Sequence, residues 1–165
     1  MTWTNTPDAL EIVFAGAVAT ALLDLWSLSL NRVLGFPATN WGHVGRWVAG
    51  LPSGSFRHAS IAEVPHIAWE RVIGWSTHYL IGIVYAVLYL LVLAAVSSAP
   101  SVHSAALFGV GTVLMPWLIL QPGIGLGYFA TRARKPSLTR LLNLLSHLVF
   151  GVGLYVGVTM TAHVA

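Results

Sequence analysis

Residues 72–96 read VIGWSTHYLIGIVYAVLYLLVLAAV, a run with no Asp, Glu, Lys or Arg, bounded by Arg71 and by Ser97-Ser98-Ala99-Pro100. About 20 apolar residues in a helix cross the hydrocarbon core of a bilayer. This run is therefore a membrane span, and the Ser-Pro segment after it is a tight turn. Three comparable runs cover 12–30, 102–120 and 141–162. The expected fold is an all-α integral membrane protein, a single domain over 1–165 with four transmembrane helices in a bundle. Pro116 should kink the third span, and Gln121 to Gly127, rich in Gly, should break it.

The composition agrees. Hydrophobic residues make up 56% of the chain and charged residues 8%, too few charges to build a water-facing surface, since soluble domains carry roughly a quarter. The chain has no cysteine, which excludes disulfides, thiolate metal sites and thiol catalysis. The Met1–Asp8 segment lacks the basic start of a cleaved signal peptide, so the first run is expected to be retained.

Every Lys and Arg falls in two stretches. Arg32, Arg46, Arg57 and Arg71 lie between the first and second runs; Arg132, Arg134, Lys135 and Arg140 lie between the third and fourth. Basic loops stay on the cytoplasmic side, so the inner loops are 31–71 and 121–140 and both termini face outward. The formal charge of +3 is explained by topology and anionic lipid, and no nucleic-acid partner is expected. Arg132-Ala133-Arg134-Lys135 reads as a stop to translocation or a headgroup contact. His103 and His163 fall on the outer face.

The first inner loop carries its own pattern. Trp41, Val44, Trp47, Val48 and Leu51 recur at helical spacing with His43 and Arg46 between them, which describes an interfacial amphipathic helix. Six of the seven Trp lie at or near the inner interface, so Trp41 and Trp47 individually read as members of an aromatic belt. The loop as a whole reads as a lid. Ser60-Ile61-Ala62-Glu63 has the form of a capping box, although Pro65 argues for a later helix start. A weak internal similarity relates Thr20–Asp24 to Thr112–Pro116 and His78–Gly82 to His147–Gly151, consistent with two parallel helix-hairpin repeats.

Ionisable groups inside spans are costly, about 2.5–3.5 kcal/mol for Asp at mid-membrane. This chain has three: Asp24, His78 and His147. Asp24 is eight residues from Arg32, His78 seven from Arg71 and His147 seven from Arg140. At 1.5 Å per residue they lie about 12, 10 and 10 Å below the inner surface. Helical spacing aligns Arg71, Gly74, Trp75, His78, Gly82, Tyr85 and Tyr89 on one face, Arg140, Asn143, His147, Gly151 and Tyr155 on another, and Asp24, Ser27 and Asn31 on a third. These faces are expected to form a cytoplasm-facing polar pocket centred on Asp24, His78 and His147, with Arg46, His58, Glu70, Arg71, Gln121 and Arg140 at its mouth.

Two imidazoles and a carboxylate suit Zn²⁺ or non-haem iron, with His58, His66, Glu63 or Glu70 able to complete the ligand set. Alternatively Asp24 orients a histidine general base, or the three groups hold the bundle together by hydrogen bonds. No His-x-x-x-His or Glu-x-x-His spacing within a span supports the metal. The expected activity is binding or transforming a small amphipathic molecule such as a quinone, an isoprenoid or a lipid; whether the chain is an enzyme stays open. The alternatives are an accessory or assembly subunit of a larger membrane complex, and a small carrier acting as a homo-oligomer.

Several of these motifs together resemble a family of small bacterial inner-membrane proteins catalogued as a domain of unknown function. They are Asp24-Leu25-Trp26, Asn40-Trp41, Val44-Gly45-Arg46-Trp47, Gly54 with Phe56-Arg57-His58, Gly74-Trp75 with His78-Tyr79, Gln121-Pro122-Gly123-Ile124-Gly125, and His147 with Phe150-Gly151. The resemblance spans nearly the whole chain. It implies a four-span protein of the bacterial inner membrane, here with N- and C-termini on the periplasmic side, and it implies no activity.

Overall fold

A computed structural model describes residues 8–161; Met1, Ala162 and His163 lie outside the described residues. Among the described residues, four helices are long and apolar enough to cross a membrane: α1 (Ala9–Leu34), α3 (Glu70–Ala95), α4 (Val102–Ile124) and α5 (Pro136–Thr161). The connection between α1 and α3 holds the short helix α2 (Trp41–Gly50) and 3₁₀ turns at Leu51–Ser53 and Ile61–Glu63. The chain is an all-helical, multi-pass membrane protein.

Caps explain where the helices begin and end. Asp8 caps α1: its carboxylate accepts from Glu11 N at 2.8 Å while Glu11 accepts from Asp8 N at 2.9 Å, a complete capping box. Gly35, at φ 67°, ends the helix in the left-handed conformation that glycine adopts without penalty. Asn40 caps α2 through Gly42 N at 3.0 Å. The capping box expected at Ser60 is not formed. Ser60 makes no side-chain cap bond, only a single 3₁₀ turn follows, and α3 starts at Glu70, beyond Pro65.

In α4, Pro116–Leu120 forms a wide π turn, closed by Gln121 N–H donating to the Pro116 carbonyl. Proline removes one donor from the helical ladder, and the chain answers with a local widening. The expected break within Gln121–Gly127 falls at Gly125: Gln121–Ile124 is one more α turn and Gly125, at φ 98°, ends it. Arg140 lies inside α5 rather than in a loop, since that helix already begins at Pro136.

Two compact units can be distinguished. The first comprises the described residues up to Phe36, Tyr79–Thr112 and the described residues from Leu145. Its parts of α1, α3, α4 and α5 pack as a four-helix bundle through small residues. A Cβ on Gly16 would lie 2.6 Å from Ile83 Cα, one on Gly109 2.6 Å from Gly151 Cα, and one on Gly157 2.7 Å from Ala15 Cα. Lipid tails are as apolar as leucine, so close van der Waals contact between backbones is what holds such helices together. Tyr89, Leu154 and Phe150 fill the core, and the Tyr89 hydroxyl is satisfied by Ser104 at 2.9 Å.

The second unit comprises Pro37–His78 and Val113–Leu144. Within it α2 crosses the start of α3 in backbone contact at Gly45 and Gly74. Trp47 is buried, its indole N–H donating to the Phe56 carbonyl at 3.0 Å. It is thus a core residue of this unit and not a member of an aromatic belt.

Candidate functional site

Each of the three intramembrane groups has partners within its own unit. In the first unit the Tyr79 hydroxyl donates to Asp24 at 3.0 Å. Also in that unit, His147 Nδ1 lies 2.7 Å from Thr112 Oγ1, which lies 2.6 Å from the Gly109 carbonyl. A hydroxyl has one proton and a carbonyl can only accept. Thr112 therefore donates to Gly109, and His147 Nδ1–H donates to Thr112. That assignment places a ring proton on His147 Nδ1. His78 belongs to the second unit, where it stacks on Trp41 with ring centroids 4.0 Å apart and meets Trp75 edge-on at 5.9 Å. Among the described residues no three His, Asp or Glu side chains form a group that could hold a metal ion, so the zinc or iron expectation gains no support from the geometry.

Of the residues expected at the mouth, Arg46 and Glu70 are brought together. Arg46 is 4% exposed. Its Nε and Nη2 donate to the two Glu70 oxygens at 2.9 and 3.1 Å, Nη1 donates to the Ile61 and Val64 carbonyls at 2.9 and 2.6 Å, and Nη2 also meets His66 Nδ1 at 2.9 Å. A guanidinium has five N–H donors, and four of them are given to Glu70 and to the Ile61 and Val64 carbonyls. Arg46 therefore fastens the 61–66 segment and α2 to the start of α3. His43, on α2, has its pKa lowered by partial burial and then by the nearby Arg46 charge. Arg71, in the first turn of α3, is exposed.

Arg140 donates from Nε to the Phe129 carbonyl at 2.8 Å. It thereby steadies a turn in which Phe129 and Ala130 have φ of 52° and 55°, values uncommon for residues with a side chain. The His58 backbone N–H donates to the Gly123 carbonyl at 2.9 Å, which ties the 58–60 segment to the last turn of α4. A Cβ on Gly125 would lie 2.4 Å from the Ala59 carbonyl oxygen, so this approach requires glycine for space as well as for conformation.

Gln121 is 5% exposed. Its amide nitrogen donates to Asn143 Oδ1 at 2.8 Å, and the same oxygen accepts from Trp117 Nε1 at 3.1 Å. Two buried atoms of this unit have no hydrogen-bond partner among the described residues: Gln121 Oε1 and His58 Nε2. A third such atom, Trp26 Nε1, belongs to the first unit. Buried polar atoms are nearly always paired, so these three stand out from the rest of the structure. The π turn stands immediately before Gln121, and such turns recur at functional sites.

Sequence reasoning singled out Gln121 and His58 but gave them a peripheral role. It missed Trp117 and Tyr79 as partners, and it placed Asn143 only as a member of a helix face. The available signals were the donor-only indole one turn before Gln121 and the hydroxyl next to His78.

Comparison with curated proteins and with solved structures gives no match. The profile of a family described as "Protein of unknown function (DUF2938)" matches residues 13–161. That match takes in the whole of α2, α3, α4 and α5 and nearly all of α1. The chain belongs to the DUF2938 family.

Proposed function

We propose that this protein binds, and in that setting transforms or hands on, a small amphipathic molecule of the bacterial inner membrane. The polar head is held in the second unit at Gln121 and His58. The observation that carries this reading is Gln121 Oε1, a buried acceptor whose partner is missing from the described residues. Support comes from its position: Leu118 and Ile119, on the turn before it, are 42% and 53% exposed, which offers an apolar tail a lipid-facing helix surface beside a polar anchor. The basic residues on α2 and in the 121–140 segment favour a cytoplasmic side for this unit, and the reading sets the termini on the periplasmic side.

The test is mass spectrometry of the protein released from native membranes in lipid nanodiscs. Wild type should carry a bound amphiphile in substoichiometric to equimolar amount, and Gln121→Met should lose it. Wild type free of any specifically retained amphiphile would overturn the reading. For topology, a cysteine introduced at Ser98 should react with an impermeant thiol reagent from the periplasmic side.

A second reading has its own observation. Arg46, Asp24 and His147 all have protein hydrogen-bond partners, as polar residues holding together an accessory subunit would. That reading requires a stable partner protein to co-purify in fixed ratio. A lone species that retains an amphiphile would dismiss it.

A further inference from the structure

We infer that the head group bound at Gln121 is a neutral hydrogen-bond donor, a hydroxyl rather than a carbonyl, an ether or a phosphate ester. This deepens the proposed function and rests on Gln121 being its anchor.

The inference follows from a chain of amide orientations. Trp117 Nε1 is a donor and nothing else, and it lies 3.1 Å from Asn143 Oδ1. The atom it faces must therefore be the amide oxygen, which fixes the Asn143 amide. Gln121 presents its own amide to that same oxygen at 2.8 Å. Two amide oxygens at that distance would repel, so the atom facing Asn143 must be Nε2. Network logic of this kind is what decides between amide flips. Gln121 Oε1 is then turned away from Asn143, and it is the atom that lacks a partner.

An amide oxygen can only accept. Its missing partner must donate an O–H or N–H. Oxidised quinones, ethers and esters present acceptors alone and would set one lone pair against another. The side chains that fix Gln121, Asn143 and Trp117, are uncharged, and no cation among them offsets an anionic head. Isoprenoid alcohols, quinols and hydroxylated glycerolipids satisfy the oxygen. His58 Nε2, also buried and without a partner among the described residues, either donates or accepts according to its tautomer, so it tolerates a hydroxyl. Its segment is anchored at Gly123, two residues beyond Gln121.

A matched pair of probes tests this on the full-length protein in nanodiscs: farnesol and its methyl ether, titrated and read as bound fraction by native mass spectrometry. The two share a tail and differ in one proton. Farnesol should bind on the order of 10-fold or more tightly than the ether, because a site with a buried acceptor rejects a ligand that leaves it empty. In Gln121→Met the ratio should fall toward one through loss of farnesol affinity, with a thermal melt confirming that the variant is folded. Equal affinity of wild type for the two probes, or preference for the ether, would overturn the donor requirement while leaving the binding site standing. Failure of both probes to bind, together with no co-extracted amphiphile, would overturn the proposed function itself.

Discussion

Gly45 and Gly74 put the backbones of α2 and α3 in direct contact: a Cβ on Gly45 would lie 1.8 Å from the Glu70 carbonyl oxygen, and one on Gly74 1.8 Å from that of Trp41. The two sites are reciprocal, each glycine meeting the backbone of the other helix. No side-chain rearrangement relieves a clash with backbone, so the helices must separate to admit a methyl group. Separation would also stretch the Arg46–Glu70 pair, which spans the same crossing.

Gly45→Ala and Gly74→Ala should each destabilise the second unit by about 1–3 kcal/mol or more, the usual cost of overpacking. Gly111 is the control. It is helical and a Cβ there meets nothing within 4 Å, so Gly111→Ala should be neutral or stabilising by up to about 1 kcal/mol. Thermal melts in one detergent decide it; equal melting of Gly45→Ala and wild type would show that the crossing is looser than described.

Arg46→Lys should fail to replace arginine. An ammonium has three donors on a flexible stem, against five in a planar fork. Leaving the buried Ile61 carbonyl unpaired alone costs on the order of 1–3 kcal/mol. Limited proteolysis should then cut within residues 51–69 in the variant and spare wild type. A protease pattern unchanged by the substitution would remove Arg46 from its structural role.

His43 carries the pH dependence of α2. Its folded-state pKa lies below the ordinary value of 6.5, from partial burial and the Arg46 charge. A histidine with a depressed pKa takes up protons more readily when unfolded. Its contribution is therefore fully present above about pH 6.5 and declines as pH falls below it. Stability measured from pH 7.5 to 5 should fall less steeply in His43→Gln than in wild type; parallel curves would contradict this.

Thr112→Val should destabilise the first unit by about 1–3 kcal/mol by leaving His147 Nδ1–H without its acceptor, whereas Thr112→Ser should retain most of the stability. The nitrogen-15 shifts of His147 supply a second readout, since the ring should report a proton on Nδ1. An Nε2–H form would refute the hydrogen-bond assignment.

The spans were legible because hydropathy over some 20 residues is a large summed signal, and α2 was legible because its apolar residues repeat at helical spacing. Capping was harder. Asp8-x-x-Glu11 and Ser60-x-x-Glu63 share one signature, yet only the first forms the box, because Pro65 and the chain after it do not continue as helix. The site was legible only in part. Gln121 stood out beside Pro122 and Gly123, but its orientation depends on Trp117 and Asn143, which lie 26 positions apart in sequence, and on a π turn that no periodicity announces. Basic residues used as depth markers behaved alike only in part: Arg32 and Arg71 lie in terminal turns of their helices, whereas Arg140 is more than a turn inside α5.

The most direct test is a density map of the second unit in nanodiscs, read at Gln121 Oε1. The account predicts an elongated density whose polar end lies within hydrogen-bond distance of that oxygen, about 2.6–3.2 Å, and whose tail runs toward the lipid past Leu118 and Ile119. A Gln121 amide satisfied by a protein group, or by an isolated water with no tail density beyond it, would contradict it.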